Sequence, residues 1–485
     1  ILALRAMGYH NVDFLVPNRF DFGYGLSVPI VDEAAKQGAE VIVTVDNGIS
    51  CIDGVTHAKS LGMQVVVTDH HLPGDVLPPA DAIVNPNQPG CEFPSKNLAG
   101  VGVAFYIMLA LKAELQQQGH FEKAGVAPPN LASLLDIVAV GTVADVVVLD
   151  KNNRILVHQG LQRIRAGKCR PGIKALVEVA NRDCAHLTST DLGFVVGPRL
   201  NAAGRLDDMS QGIACLLEDE TIQARMIAAE LDALNKERRE IETGMKAQAE
   251  TVLEQMALNE GDMPSALVVY REDFHQGVIG IVAGRLKEKY LKPVIAFAHQ
   301  DDEIIKGSAR SIPGVHIRDV LDEVNTRYPG VIEKFGGHAM AAGLSLPVAK
   351  LQDFERAFVN IARAHMAKLD GNHALFSDGD LSSEELCLPF AHLLRQAGPF
   401  GQGFESPLFD GEFALLDQRL VGQKHLKMVL KSDGANEVDA IAFNVDLKSW
   451  PNAMVKRVHI AYRLDINVFR GQETVQLIVE QIEAR

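Results

Sequence analysis

The six cysteines (Cys51, Cys91, Cys169, Cys184, Cys215 and Cys387) are scattered, and no two of them form a Cys-x-x-Cys pair. That spacing excludes a zinc knuckle, and in a chain of 485 residues it argues against a disulfide framework. Thiols kept apart in this way fit a reducing cytoplasm. Long hydrophobic runs are lacking as well. A membrane helix needs roughly 20 consecutive apolar residues, and the best stretch, residues 100–111, is too short and reads as a buried helix. Basic excess is missing too: 47 Lys and Arg stand against 62 Asp and Glu, a formal charge of −15. A uniformly basic nucleic-acid surface is thereby excluded. Nucleic acid remains compatible only if carboxylates gather around metal ions while cations gather along a track. No signal peptide is visible, and the chain opens on Ile1 within a helical pattern over residues 1–7. A natural N-terminus upstream of Ile1 is expected.

What is present is ordinary for a folded protein: 47% apolar and 22% charged residues. The length exceeds one hydrophobic core, so two to four domains are expected. Residues 31–72 alternate helix and strand. Two β-branched runs, 41–45 and 64–68, each end in an acid, Asp46 and Asp69. Strands this apolar predict a parallel sheet covered on both faces, with its ligand site beyond the carboxyl ends of the strands. Helices follow near 101–115 and 131–140, and a long amphipathic pattern over 221–259 predicts a connector helix. A second, smaller α/β unit is expected over 263–368, with strands at 266–270, 294–297 and 304–308 and a helix at 277–290. From residue 405 short alternating strands predict a closed β-barrel of the OB type. The expected divisions are therefore 1–217, 218–262, 263–368, a bridging segment 369–404, and 405–485.

Chemistry concentrates in a few motifs. Asp69, His70 and His71 stand directly after a buried strand, where a turn can aim imidazole and carboxylate at one divalent ion. The alternative for the histidine pair is plain capping within the turn, but Asp46 at the end of a neighbouring strand favours the ligand reading. Asp145 lies in the apolar run 141–149, and an acid there needs a partner or a metal; Asp136 competes with it. In the second unit, Ser308 and Arg310 are two apart and face one side of a strand, a grip suited to phosphate. Gly336, Gly337 and His338 are expected to open a small-residue helix whose N-terminus attracts anions. Residues 197–205 read as a turn-rich stretch offering Arg199, Asn201 and Arg205.

In this order and spacing, Asp46-Asn47-Gly48, Asp69-His70-His71, Ala144-Asp145 and Gly336-Gly337-His338 resemble the motifs of the DHH phosphoesterases and their DHH-associated second domain. Residues 17–26, 197–206, 306–311 and the C-terminal barrel narrow the resemblance to the RecJ-type exonucleases. It covers essentially the whole chain. It implies a 5′→3′ exonuclease of single-stranded DNA in recombination and repair, using two Mn²⁺ or Mg²⁺ ions. It implies that Asp46, His70 and Asp145 are metal ligands, that His71 contacts the scissile phosphate, and that Asp69 orients the pair. By the same resemblance Arg199, Asn201, Arg205, Ser308 and Arg310 hold the terminal phosphate, Arg19 and Tyr24 touch DNA, and His338 faces the site from the second domain. The cations of the barrel (Lys424, Lys427, Lys431, Arg463 and Arg470) would extend the strand track or form a solvated face. A single-strand-binding protein and a repair helicase are the partners implied, with a monomeric enzyme in the cytoplasm and no membrane. The family's first metal motif, of the type Asp-x-Asp-Ala-Asp-Gly, is expected upstream of Ile1, so these 485 residues are expected to be impaired. Two other readings stay open: a pyrophosphatase or oligoribonuclease of the same family, and a non-catalytic strand-binding scaffold.

Overall fold

The computed structural model describes residues 1–16, 25–206, 208–260 (side chains to 254), 263–301, 303–369, 375–432 and 437–485. Arg19 and Tyr24 lie outside the described residues. The chain divides into two compact units. The first comprises Ile1–Pro198, Ile213–Ala228 and Ala374–Arg485; the second comprises Arg199–Gly212 and Ala229–His373.

The first unit opens with the short helix α1 (Leu2–Ala6) and then α2 (Val28–Lys36), β1 (Val41–Val45), α3 (Ile52–Ser60), β2 (Gln64–Thr68) and β3 (Ala82–Val84). The three strands run parallel in the order β1-β2-β3, with Val43 opposite Val66 and Val67 opposite Ile83. Val65 and Val67 of β2 pack against Ile30, Val31, Val55 and Ala58 of the flanking helices. The other face departs from expectation. Val41, Val43 and Val45 are 49%, 48% and 56% exposed, because β1 is an edge of this described sheet and its odd-numbered side chains point away from α2 and α3. The longer helices that follow are α4 (Gly100–Gln117), α5 (Leu135–Ala144), α6 (Lys151–Arg165) and α7 (Pro171–Val179). A β-carbon on Gly160 of α6 would stand 2.2 Å from the Leu135 carbonyl oxygen, so glycine is what lets α5 and α6 pack this closely.

Residues 197–205 are not turn-rich. They form the helix α8 (Gly197–Leu206), continuous with a preceding helical turn over Leu192–Val196. Small Ala202, Ala203 and Gly204 suit helix packing as well as they suit turns, and here the packing decides. The connector is a 40-residue helix, α9 (Thr221–Glu260), which passes from the first unit into the second at Ala228.

The second unit holds β4 (Leu267–Tyr270), α10 (Ile279–Tyr290), β5 (Val294–His299), β6 (Ile304–Arg310), α11 (Ile317–Arg327), β7 (Lys334–Gly337), β8 (Ala341–Pro347) and α12 (Leu351–Met366). Its sheet order is β4-β5-β6-β8-β7, and only β4 and β5 pair in parallel. Alternate residues serve two cores. Leu267, Val269, Val294 and Ala296 meet α10 together with Met245 and Leu253 of α9, whereas Val268, Ile295 and Phe297 meet Val320, Phe354 and Phe358 of α11 and α12. The glycines at 336 and 337 open no helix; they end β7, and His338 stands in the hairpin to β8, its N–H donating to the Ala341 carbonyl at 2.8 Å. The close cross-strand approach demands glycine: Gly337 has φ 151°, and a β-carbon there would lie 2.4 Å from Cα of Ala342.

Back in the first unit, α13 (Leu388–Ala397) precedes five strands: β9 (Phe409–Val421), β10 (His425–Lys431), β11 (Glu437–Ala442), β12 (Arg457–Phe469) and β13 (Gln472–Ala484). They close as a barrel in the order β10-β11-β13-β12-β9. Strict alternation along β12 sends Val458, Ile460, Tyr462, Leu464 and Ile466 inward.

Candidate metal centre

The carboxyl ends of β1 and β2 place Asp46 and Asp69 side by side, as parallel pairing requires: the Asp46 N–H donates to Thr68 at 3.1 Å and the Asp69 N–H to Val84 at 3.1 Å. Asp46 adopts φ 62°, and the turn is held by Thr44, whose Oγ1 donates to the Asn47 carbonyl at 2.7 Å. Glycine at position 100 makes room for the acid, since a β-carbon there would stand 2.6 Å from Asp46 Oδ1. The carboxylate thus rests at the start of α4, where helix dipole and backbone N–H groups favour negative charge.

Asp69 is 1% exposed and its two oxygens are fully engaged. Oδ1 accepts from the His70 N–H (2.7 Å) and the His71 N–H (3.2 Å) and lies 2.7 Å from His71 Nδ1, while Oδ2 accepts from the Ile49 N–H at 3.0 Å. Burial alone would raise this carboxyl's pKa; the His71 ring and the backbone donors overcome it and hold it below the ordinary value. A second support comes from the loop after β3. Asn87 donates to the His70 carbonyl at 2.6 Å and Asn85 to the His71 carbonyl at 2.8 Å.

The imidazole of His70 is thereby directed at two acids: Nε2 lies 3.0 Å from Asp46 Oδ1 and 3.3 Å from Asp145 Oδ2. These are ion-pair distances, but the angles leave Nε2 a buried nitrogen without a well-formed hydrogen bond. Ligand atoms of Asp46, His70 and His71 fall within 4.8 Å of one another. Asp145 caps the C-terminal end of α5, where the helix dipole disfavours an anion. Burial and the charge of Asp46 push its pKa up. Burial lowers His70, yet Asp46 and Asp145 outweigh it and its pKa rises; Asp69 raises that of His71. Two carboxylates and an imidazole converging at one point are a donor set suited to a divalent ion. Asp136, the competing acid, is committed elsewhere: its carboxylate accepts from the N–H groups of Ile137 (2.8 Å) and Arg170 (2.7 Å).

In the second unit Ser308, Arg310 and Arg205 come together around the start of α10, not at Gly336. Arg310 Nη1 donates to Ser308 Oγ at 3.0 Å, and Arg205 Nη1 donates to the Gly277 carbonyl at 3.0 Å. A β-carbon on Gly280 would lie 2.9 Å from both Arg310 Nη2 and Ser308 Oγ. Burial lowers the Arg310 pKa. Asn201 shares a face of α8 with Arg205, four residues on. Arg199 does not join them: it is 7% exposed and its Nη2 and Nε meet Asp232 Oδ1 at 2.8 and 2.9 Å. On the barrel, Lys427 pairs with Asp439 (2.9 Å) and Arg463 with Glu480 (3.1 Å), while Lys424, Lys431 and Arg470 are exposed. The reading of the motifs missed Asn85, Asn87, Gly100 and Gly280; only the Asn/Pro/Gly richness of residues 78–94 signalled the first two.

Three family models match the chain: the DHH family N-terminal domain over residues 1–142, the DHHA1 domain over 264–364 and the RecJ OB domain over 377–481. The single-stranded-DNA-specific exonuclease RecJ of Salmonella typhimurium is 56% identical over 99% of this chain and 84% of its own length. That of Bacillus subtilis is 33% identical over 97% of this chain and 57% of its length. Among solved structures, RecJ of Thermus thermophilus in complex with Mn²⁺ is 28% identical, with a TM-score of 0.76 covering 95% of this chain and 64% of that one. An exonuclease RecJ bound to manganese is 30% identical, with a TM-score of 0.61 over 76% of this chain and 87% of that one. The chain belongs to the RecJ family of single-stranded-DNA-specific exonucleases.

Proposed function

We propose that this protein hydrolyses single-stranded DNA from the 5′ end, in recombination and repair, with two Mn²⁺ or Mg²⁺ ions as cofactors. The observation that carries the reading is the convergence of Asp46 and Asp145 on His70 beyond the carboxyl ends of parallel strands. Asp46, His70 and Asp145 would hold metal. When bound, divalent ions neutralise the phosphodiester and lower the pKa of the attacking water. His71, its Nδ1 turned to Asp69, presents its other ring nitrogen to the scissile phosphate. Asp69 touches no substrate in this scheme; it positions both histidines. Ser308, Arg310 and Arg205, around Gly280, bind the terminal 5′-phosphate, with Asn201 beside them; Arg199, paired with Asp232, supports α8 from within. Arg19, Tyr24 and His338 are assigned to the strand and the site by the motif resemblance. The functional divisions follow the motifs, 1–217 for metal chemistry, 218–262 as connector, 263–368 for the 5′ end, 369–404 as bridge and 405–485 for strand binding. Action as a monomer in the cytoplasm, with a single-strand-binding protein and a repair helicase as partners, completes the reading.

The test is digestion of end-labelled single- and double-stranded oligonucleotides with Mn²⁺, comparing 5′-phosphorylated with blocked 5′ ends. Mononucleotide release from the phosphorylated single strand alone is expected. Equal attack on blocked ends would remove the pocket assignment, and attack on internal bonds would remove the exonuclease assignment.

A further inference from the structure

Helix α6 carries Lys151, Arg154, His158, Arg163 and Arg165 and no acid, in a chain whose formal charge is −15. Among the described residues, Lys151, Arg154 and Arg165 make no ion pair. Arg154 instead lies over the Phe404 ring, 4.0 Å from its centroid, which orients the guanidinium without neutralising it. Arg165 donates Nε to the Leu187 carbonyl at 2.8 Å.

Lys151, Arg154, His158 and Arg165 share one side of α6 and line two adjoining hollows that meet at His158, of about 310 and 500 Å³. The opposite wall comes from α13 and the turn after it, including His392 and Arg395. Asp and Glu are absent from both linings as described. Three of the lining cations are paired with acids outside the linings: Arg395 with Asp465 at 2.9 Å, His392 with Glu473 at 2.9 Å and His186 with Asp183 at 3.8 Å. Arg165 and Arg395 line the same hollow; burial, and then the charge of Arg395, lower the pKa of Arg165 against the opposing charge of Asp191. Lys151, Arg154 and Arg165 add positive charge that no ion pair among the described residues takes up, and such charge is stabilised by a bound polyanion.

The direction of the groove matters as much as its charge. Lys151 is six residues beyond Asp145, and the packing of Gly160 on Leu135 shows α6 running back along α5. From Lys151 to Arg165 the helix rises about 21 Å, leading away from the acid that faces His70.

We propose that the groove between α6 and α13 is a second track for single-stranded DNA, gripping the sugar–phosphate backbone on its way from the metal centre. The proposal rests on the single-strand reading of the function. It adds a binding surface made by the metal-bearing domain and the bridging helix, apart from the barrel.

The experiment is equilibrium binding of fluorescent oligo(dT), without divalent ions, to the wild-type chain and to the variant Lys151→Gln/Arg154→Gln/Arg165→Gln over a range of salt. Each lost phosphate contact on a single strand removes ~0.7 from the slope of log K against log salt, so the triple variant should lose ~2. That loss is expected with oligomers of roughly 20 nucleotides and not with those of roughly 5, which a groove beyond the first contacts cannot reach. Lys151→Gln alone, at an exposed position, should lose about a third of the effect and keeps the test valid if the triple variant folds poorly. Equal slopes for variant and wild type on the long strand would overturn the groove. So would an identical loss on duplex and single strand, which would mark mere surface charge. Wild-type protein that binds no single strand at all would instead overturn the functional reading beneath it.

Discussion

Nδ1 of His71 lies 2.7 Å from Oδ1 of Asp69, an acid that is 1% exposed and also accepts the backbone N–H groups of His70, His71 and Ile49. One buried carboxylate therefore sets the orientation of both histidines and the tautomer of one.

Asp69→Asn tests that relationship. The amide keeps the shape but replaces one acceptor by a donor facing N–H groups, leaving buried donors unsatisfied at a cost of ~1–3 kcal/mol. Mn²⁺ affinity should fall about 10- to 100-fold, the usual effect of losing a residue that orients a ligand. Calorimetric titration and a thermal melt on the same sample check it; unchanged affinity in a folded variant would show that Asp69 is structural only.

Metal binding should be acid-sensitive in a defined direction. In the metal-free protein burial disfavours charged His70, but Asp46 and Asp145 win and raise its pKa above the ordinary 6.5. A bound ion must displace that proton, so affinity is full at pH values above the raised pKa and falls as pH drops through it. The midpoint of the loss should lie above pH 6.5, the midpoint for an unperturbed histidine. Mn²⁺ dissociation constants measured between about pH 5.5 and 8.5 report it. A curve whose midpoint lies at or below the ordinary histidine value contradicts the assignment of His70 as a ligand.

Gly280→Ala separates end recognition from chemistry. Its new β-carbon would stand 2.9 Å from Arg310 Nη2 and Ser308 Oγ, inside the space assigned to phosphate. Alanine in a helix is otherwise favoured over glycine by up to ~1 kcal/mol, so unfolding is not the expected cause of any loss. Preference for a 5′-phosphate over a 5′-hydroxyl should disappear while Mn²⁺ affinity is kept. Retained preference would move the pocket elsewhere.

Much of this was legible in the residues because local pattern and site coincide. The β-branched runs before Asp46 and Asp69 announce strands, parallel pairing puts strand ends together, and the acids come with them. The connector and the barrel were equally plain, since period 3.6 and period 2 persist over α9 and β12. What failed depended on partners distant in sequence. Small residues at 336–343 are compatible with helix or hairpin, and only the pairing of β7 with β8 and β6 with β8 decides it. Arg199 looked like a phosphate ligand until Asp232, 33 residues on, placed it in a buried ion pair. The exposed face of β1 was unforeseen because apolar composition does not say which strand lies at an edge. Asp136 and Asp145 were indistinguishable until the Arg170 N–H took the first.

Titration of Mn²⁺ followed by the electron paramagnetic resonance of the free ion addresses the centre itself. The account predicts that the wild-type chain sequesters Mn²⁺ and that Asp46→Asn/Asp145→Asn titrates like buffer while its melting profile is preserved. Equal sequestration by the two proteins would contradict it.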